Sequence, residues 1–442
     1  MTGIPIMILQ LILSLSFLVI IHECGHFFPA KWFKTRVEKF YLFFDPWFSI
    51  FKTKKGDTEY GIGWLPLGGY VKISGMVDES FDTEKLKEEP KPWEFRSKPA
   101  WQRLIIMLGG VTVNFIAGFL LFALVLGIWG EEYLPARSVQ NGIYTDSLAR
   151  VIGLKDGDKI LKIGSVDFDI FDPRILRREV VINGAKTITV ERDGQSIDLA
   201  MEDRFVHDLS SNKHKSAFLI GPRVPVKIDR FTDSSPAQSA GLAAGDEIDS
   251  LNGTPMFIND LTKTLRQLKD TSVTMVVRRG QEEMAFTFKT SADGTIGAYT
   301  VPVISMERKK YGILESIPAG INKGLGFLGD QIKAFGQMFR GKIKASESLG
   351  GFASITSLFP DTWNWEDFIR ITAILSLILG FMNLLPIPGL DGGHVVFLLF
   401  ELVTGKKLSD KFIEKATLIG FILLIALMIY ANGLDVFRFL KK

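Results

Sequence analysis

VIIHECGHFFPAKWF, from Val19 to Phe33, sets two histidines and a glutamate at the end of an apolar run that begins at Ile4. Ionisable side chains are costly at membrane depth, so where they occur there they mark function by default. Helical periodicity puts His22 and His26 one turn apart on one face with Glu23 beside them, the H-E-x-x-H arrangement. Two imidazoles so placed can bind one Zn²⁺, and the adjacent carboxylate can act as general base on water. The chain has five histidines in all, so a pair at this spacing around a glutamate is a poor candidate for coincidence. The bland alternative is a helix end whose polar groups merely reach water.

The run is one of four stretches long and apolar enough to span a bilayer, which takes about 20 helical residues. They are Ile4–Phe28, Leu104–Trp129, Phe368–Leu385 and Ala416–Tyr430, in a chain of 442 residues that is 47% hydrophobic. The third and fourth compete with a buried helix of a soluble protein. Met1–Gln10 lacks the basic start of a signal peptide, so the first stretch is expected to be retained. Lys31, Lys34, Arg36 and Lys39 follow the first span, and Arg96, Lys98 and Arg103 precede the second. Basic residues favour the cytoplasmic side, which puts that loop inside and the N-terminus outside. Lys406, Lys407, Lys411 and Lys415 agree, and Arg438, Lys441 and Lys442 disagree mildly. A net charge of +3 with no long block of one sign gives no reason to expect nucleic acid as a partner. The lone cysteine, Cys24, excludes an intramolecular disulfide framework.

A catalytic zinc site held by two histidines needs a third protein ligand and an open position. NLLPIPGLDGGHVV, Asn383 to Val396, follows the third apolar stretch and carries an acidic residue near its end, Asp391. Pro386 and Pro388 break the helix there, and Gly392 with Gly393 lets backbone approach closely. Asp391 is the expected ligand and His394, one turn on, is its rival.

Between spans two and three the chain repeats itself. GLKDGDKILKIG (Gly153–Gly164) and GLAAGDEIDSLNG (Gly241–Gly253) share Gly-Leu-x-x-Gly-Asp-x-Ile, a turn leading into a strand whose aspartate can bond the turn. Further on, Ile313, Ile317, Ile321, Leu325, Leu328, Ile332, Phe335 and Phe339 form one apolar stripe at helical spacing. Such a helix could lie on the membrane surface or pack on the second repeat. GIGWLPLGGYVKISG, Gly61 to Gly75, reads as a hairpin around a Pro-Leu-Gly-Gly turn that dips toward the membrane. Its exposed edge could pair with an unwound substrate as an added strand.

HECGH, NLLPIPGLDGG, GGVTVNF (Gly109–Phe115) and TEYGIGWLPLGGYVKISGM (Thr58–Met76), with the doubled insert, together resemble the bacterial branch of the site-2 protease family of intramembrane zinc metalloproteases. The repeats resemble PDZ domains, the second copy more closely than the first. The resemblance implies a polytopic α-helical membrane protein with four transmembrane helices, a membrane-associated β-hairpin, and two PDZ-like α+β domains inserted between helices two and three. The expected boundaries are 1–130 for helices one and two with the hairpin, 131–222 and 223–305 for the PDZ-like domains, 306–366 for the amphipathic helix and linker, and 367–442 for helices three and four.

It further implies one Zn²⁺ per chain on His22, His26 and Asp391, Glu23 as catalytic base, and Asn383 holding the substrate backbone, with Gly68, Gly69 and Tyr70 on the hairpin edge. The implied substrates are single-pass transmembrane proteins, such as a pre-trimmed anti-sigma factor or a remnant signal peptide, cut by regulated intramembrane proteolysis. The PDZ-like domains would take peptide ligands. The implied location is the bacterial inner membrane, with the termini and PDZ-like domains periplasmic and the active site toward the cytoplasm. The departures from the family pattern are FYLFFDPWF, Phe40 to Phe48, where a glycine-containing stretch is usual, and Gly110, where a proline is common. One rival reading is a membrane di-iron oxygenase, for which the histidines are too few, since His207 and His214 fall in the soluble part. The other is a non-proteolytic adaptor that presents the PDZ-like domains.

Overall fold

A computed structural model describes residues 3–76, 89–210, 219–341 and 350–440. The chain divides into two compact units. The first comprises Met1–Gly130, Lys310–Ile332 and Ser348–Lys442, and the second Glu131–Lys309 and Lys333–Glu347.

In the first unit, helices α1 (Ile4–Trp32), α2 (Ala100–Ile128), α4 (Trp365–Leu384) and α6 (Asp410–Leu440) carry the four apolar stretches. All four are long and apolar enough to cross a membrane, and with the β-rich second unit they make this a membrane protein. Each helix reaches past its apolar core at one or both ends, by about a turn in the first three and by nearly three turns at the C-terminal end of α6. Hydrogen bonding along the backbone does not stop where lipid does. α1 and α2 meet glycine to glycine: a Cβ at Gly25 would stand 2.6 Å from the Gly109 carbonyl carbon and 2.7 Å from Gly110 Cα. Close backbone approach of this kind is what holds helices together in lipid, where apolar burial gives no advantage. α4 is tied to both, Thr372 Oγ1 donating to Ser14 Oγ at 3.0 Å and Ser376 Oγ to the Asn114 carbonyl at 2.7 Å.

Helix α3 (Ile313–Phe339) carries the predicted apolar stripe, but the stripe is not its packing face. Ser316, Gly320 and Gly324 are buried, set against Gly127, Ala123 and Phe119 of α2. Ile313, Ile317, Ile321, Leu325 and Ile332 remain exposed. Small residues pack and large apolar ones point outward, the arrangement expected of a helix in contact with lipid.

Strands β1 (Val37–Lys55) and β2 (Thr58–Ile73) form the hairpin, but its turn lies at Gly56 and not at Pro66–Gly69. β2 runs straight through Pro-Leu-Gly-Gly with Gly68 at φ +146, a conformation that bends the strand without reversing it. Both strands pair twice. Phe40 faces Val71 and Tyr60, and Tyr60 in turn faces Thr53. The outcome is a four-part sheet in the spatial order 49–55, 58–63, 37–44 and 65–73, in which residues 65–73 form one edge.

In the second unit each repeat has its own sheet and core. The first orders Val166–Asp167, Lys159–Ile163, Thr187–Arg192 and Gln195–Ala200, around Ile160, Ile163, Leu176, Ile188 and Val190. The second orders Glu282–Lys289, Ser272–Arg279, Glu247–Leu251, Val226–Phe231 and Ala298–Pro302, around Val226, Ile248, Val273, Met275 and Val277. The repeated glycines adopt matching left-handed conformations, Gly153 and Gly157 at φ +94 and +93, Gly241 and Gly245 at +101 and +93. The aspartates accept from the turn as expected, Asp158 from the Lys155 N–H and Asp246 from the Ala243 N–H, both at 2.8 Å. Each also takes an arginine: Arg192 Nε donates to Asp158 and Arg279 Nε to Asp246, both at 2.7 Å.

The Arg279 bonds, with the Ala243 N–H, hold the Asp246 carboxyl below its usual range. A carboxyl depressed on folding adds stability that is present above the unfolded pKa of about 3.9 and is lost as pH falls through the folded value. Protection factors against hydrogen exchange across residues 226–302 in the full chain should therefore fall on acidification below pH ~4. Asp246→Asn should flatten that acid limb and exchange faster at neutral pH.

Candidate metal centre

His22 and His26 project from the same face of α1 and are 9% and 7% exposed. Their rings meet edge to face with the Nε2 atoms 3.3 Å apart. Asp391, the first residue of helix α5 (Asp391–Thr404), brings Oδ2 to 3.3 Å from each Nε2. It is delivered by the broken segment after α4. Leu385 leaves the helix in an extended conformation and Gly389 sits at φ +97. Gly393 passes so close to Ile387 that a Cβ would stand 2.6 Å from its carbonyl oxygen. Among the described residues these three side chains form the cluster able to hold a metal ion, their ligand atoms all within 4.8 Å of one another. His394 is elsewhere: its ring lies edge-on to Phe397 and lines a small cavity with Phe95, Arg103 and Glu401. His214 lies outside the described residues.

The donor set fits zinc. His26 Nδ1 lies 2.8 Å from the Ile106 carbonyl oxygen, which can only accept, so His26 carries its proton on Nδ1 and turns the Nε2 lone pair to Asp391. Asp391 Oδ2 is buried and has no hydrogen-bond donor. A buried carboxylate oxygen facing a lone pair is strongly unfavourable unless a cation lies between them. Zinc bonds of about 2.0–2.2 Å to nitrogen and oxygen in a tetrahedron give ligand separations of about 3.3–3.5 Å, which is the spacing found. Two histidines and a carboxylate leave the fourth corner open for water or substrate.

The other expected residues gather around this cluster. The Asn383 amide, on α4, stands 3.4 Å from His22 Nε2. The backbone amide of Val71 bonds the Glu23 carboxylate, joining the edge of β2 to the helix that holds the histidines. Gly69 lies against Val19, where a Cβ would approach Cγ1 to 2.6 Å, so Gly68–Val71 runs beside α1 next to His22 and Glu23. The Tyr70 side chain is committed elsewhere. Its ring stacks on Tyr41 and Phe44, and its hydroxyl donates to Asp45 Oδ1 at 2.9 Å. Burial and that bond push the phenol upward, so it stays a neutral donor. Asp45 belongs to the divergent FYLFFDPWF stretch and also accepts from Ser49, so the departure has an internal structural partner.

Sequence reasoning missed one wall of the site. On α2, Ile106, Gly110 and Asn114 recur every four residues along one face. Ile106 offers its carbonyl to His26, and a Cβ at Gly110 would overlap His26 Nε2 and stand 2.7 Å from His22 Cε1. The Asn114 side chain lies 2.9 Å from His22 Nδ1. The available signal was a lone asparagine at that period inside an apolar span.

The profile of Peptidase family M50 matches residues 10–427. Over 97% of this chain and 98% of the relative, the sequence is 29% identical to the protein named Regulator of sigma E protease in Haemophilus influenzae. A protein named as a zinc metalloprotease in Thermotoga maritima is 26% identical over 98% of this chain and 99% of its own length, and one in Borreliella burgdorferi is 29% identical over 98% of both. With the match running almost end to end and the zinc-compatible cluster inside it, this chain belongs to peptidase family M50, the site-2 protease family, and is a zinc metalloendopeptidase.

Proposed function

We propose that this metalloendopeptidase cuts peptide bonds inside the membrane-spanning segments of single-pass proteins, using one zinc per chain. The observation that carries the proposal is the position of His22, Glu23 and His26 within an apolar helix, with the outer strand of the hairpin sheet, residues 65–73, beside them. A helical substrate has its peptide groups already bonded to one another, so it must unwind before attack. The edge at Gly68–Val71 offers replacement main-chain partners, and the Asn383 amide donates to a substrate carbonyl next to His22. Bound by His22, His26 and Asp391, zinc supplies Lewis acidity, lowering the pKa of water toward neutrality and polarising the scissile carbonyl. Glu23 takes the proton from the attacking water and passes it to the leaving nitrogen.

The likeness of residues 131–222 and 223–305 to PDZ domains, each with its own sheet and core, supports a role for them as peptide-binding modules that filter substrates by size. The proposed setting is the bacterial inner membrane, with both termini and these domains on the periplasmic side and the metal toward the cytoplasm. The name of the Haemophilus influenzae relative supports a pre-trimmed anti-sigma factor as one substrate class, with remnant signal peptides as another. The test is to reconstitute the full chain with single-span substrates and map the product termini by mass spectrometry. Cuts within the apolar segment, abolished by a zinc chelator, are expected. Cuts confined to water-exposed loops would overturn the intramembrane reading. An untrimmed substrate should be refused by the full chain and cut once residues 221–290 are deleted.

A further inference from the structure

We infer that Asn114 is a positioning residue: by accepting a hydrogen bond from His22 Nδ1–H it fixes the tautomer that frees His22 Nε2 for the metal. The inference rests on the zinc reading of the site.

Asn114 is fully buried in α2, and its amide meets His22 Nδ1 at 2.9 Å. In the orientation recorded, Nδ2 faces His22 and the buried Oδ1 has no partner. The amide oxygen and nitrogen have nearly the same shape, so a half-turn of the side chain exchanges them and keeps the bond length. The two orientations differ in consequence. If the nitrogen donates, His22 Nδ1 holds a lone pair and Nε2 must carry the proton, aimed at Asp391 and His26. That state has no room for a cation. If the oxygen accepts, Nδ1 carries the proton and the Nε2 lone pair joins those of His26 and Asp391. Metal binding therefore selects the accepting orientation, and an accepting group at 114 in turn favours metal.

The same helix face solves the same problem for the neighbouring ligand. Two turns earlier the Ile106 carbonyl fixes His26 through its Nδ1. Between them Gly110 has no side chain, which leaves space for both rings. The Asn114 backbone is itself pinned, its carbonyl accepting from Ser376 on α4 at 2.7 Å. Neutral donors to a carbonyl or carboxylate on the far nitrogen are the common support of metal-bound histidines, and their loss typically lowers metal affinity by about 10–100-fold.

The test compares Asn114→Asp, which can only accept when ionised, with Asn114→Leu, which has similar volume and no acceptor. Zinc affinity is read by competition with a chelating dye, and the site is also read by the visible spectrum of the cobalt(II) form. The positioning role predicts that Asn114→Leu binds zinc about 10–100-fold more weakly with an altered cobalt spectrum, while Asn114→Asp stays within about threefold of the parent. A packing role alone predicts the reverse order, since a buried carboxylate disturbs an apolar helix more than leucine does. Should either variant fail to fold, the unaltered zinc-loaded protein decides through its ¹⁵N-histidine spectrum in micelles. A protonated Nδ1 and a metal-bound Nε2 at His22 are expected, and an unprotonated Nδ1 overturns the inference. Absence of zinc binding by the parent protein would instead remove the reading beneath it.

Discussion

Glu23→Gln is expected to abolish peptide cleavage while leaving one zinc per chain in place. The substitution keeps the shape of the side chain and its ability to accept from the Val71 amide through the remaining carbonyl oxygen. It removes the carboxylate next to His22 that is free of the proposed ligand set and would take a proton from water and return it to the leaving nitrogen. A positioned general base contributes about 10²–10⁴ in rate, so single-turnover cleavage should fall by at least about a hundredfold. The zinc ligands are untouched, so metal content by atomic absorption should match the parent, and substrate should still co-purify. A variant that cut at the parent rate would make the site ornamental and favour the adaptor reading. One that lost its zinc would mean Glu23 belongs to the ligand set.

Gly110→Ala should be nearly as damaging, for a different reason. By intrinsic propensity alone the change favours helix by about 1 kcal/mol, so a purely local view predicts a slightly stiffer α2 and a working enzyme. The packing predicts the opposite. The added methyl would overlap His26 Nε2 and crowd His22 Cε1, and neither ring can retreat, since each is held at Nδ1 by α2 itself. Displacing a ligand by a fraction of an ångström spoils a tetrahedral site, so zinc affinity and cleavage should both fall by about a hundredfold or more. Competition titration with a zinc indicator measures the first and the single-span cleavage assay the second. Unchanged affinity would show that the rings do not lean on α2 as described.

The pairing of His22 with His26 was legible because the H-E-x-x-H spacing is a one-dimensional record of a helical turn. Asp391 was legible because prolines and glycines advertise a broken backbone, and an acid beside them needs a reason to be there. Other features depend on contacts between segments far apart in the chain, and no local pattern records them. Asn114 reaches a histidine 92 residues away. The Asp158–Arg192 and Asp246–Arg279 pairs link a turn to a distant strand, and only the turn half was readable. One local reading went astray for a physical reason. Pro66–Gly69 has turn chemistry, yet pairing with β1 on both sides of it keeps the strand extended and converts the would-be turn into a bend. The isoleucine stripe of α3 was legible, but not which of its two alternatives it takes: Ile313, Ile317, Ile321, Leu325 and Ile332 stay exposed, as a face toward the membrane would, while Ser316, Gly320 and Gly324 pack on α2.

The central claim is that a single zinc ion is held by His22, His26 and Asp391. A zinc K-edge absorption spectrum of the purified full chain tests it most directly. Two imidazole nitrogens at about 2.0–2.1 Å and carboxylate oxygen at about 2.0–2.2 Å are predicted, with no sulfur in the shell. A zinc–sulfur distance of about 2.3 Å, which would bring in Cys24, or a shell with no imidazole, would contradict it.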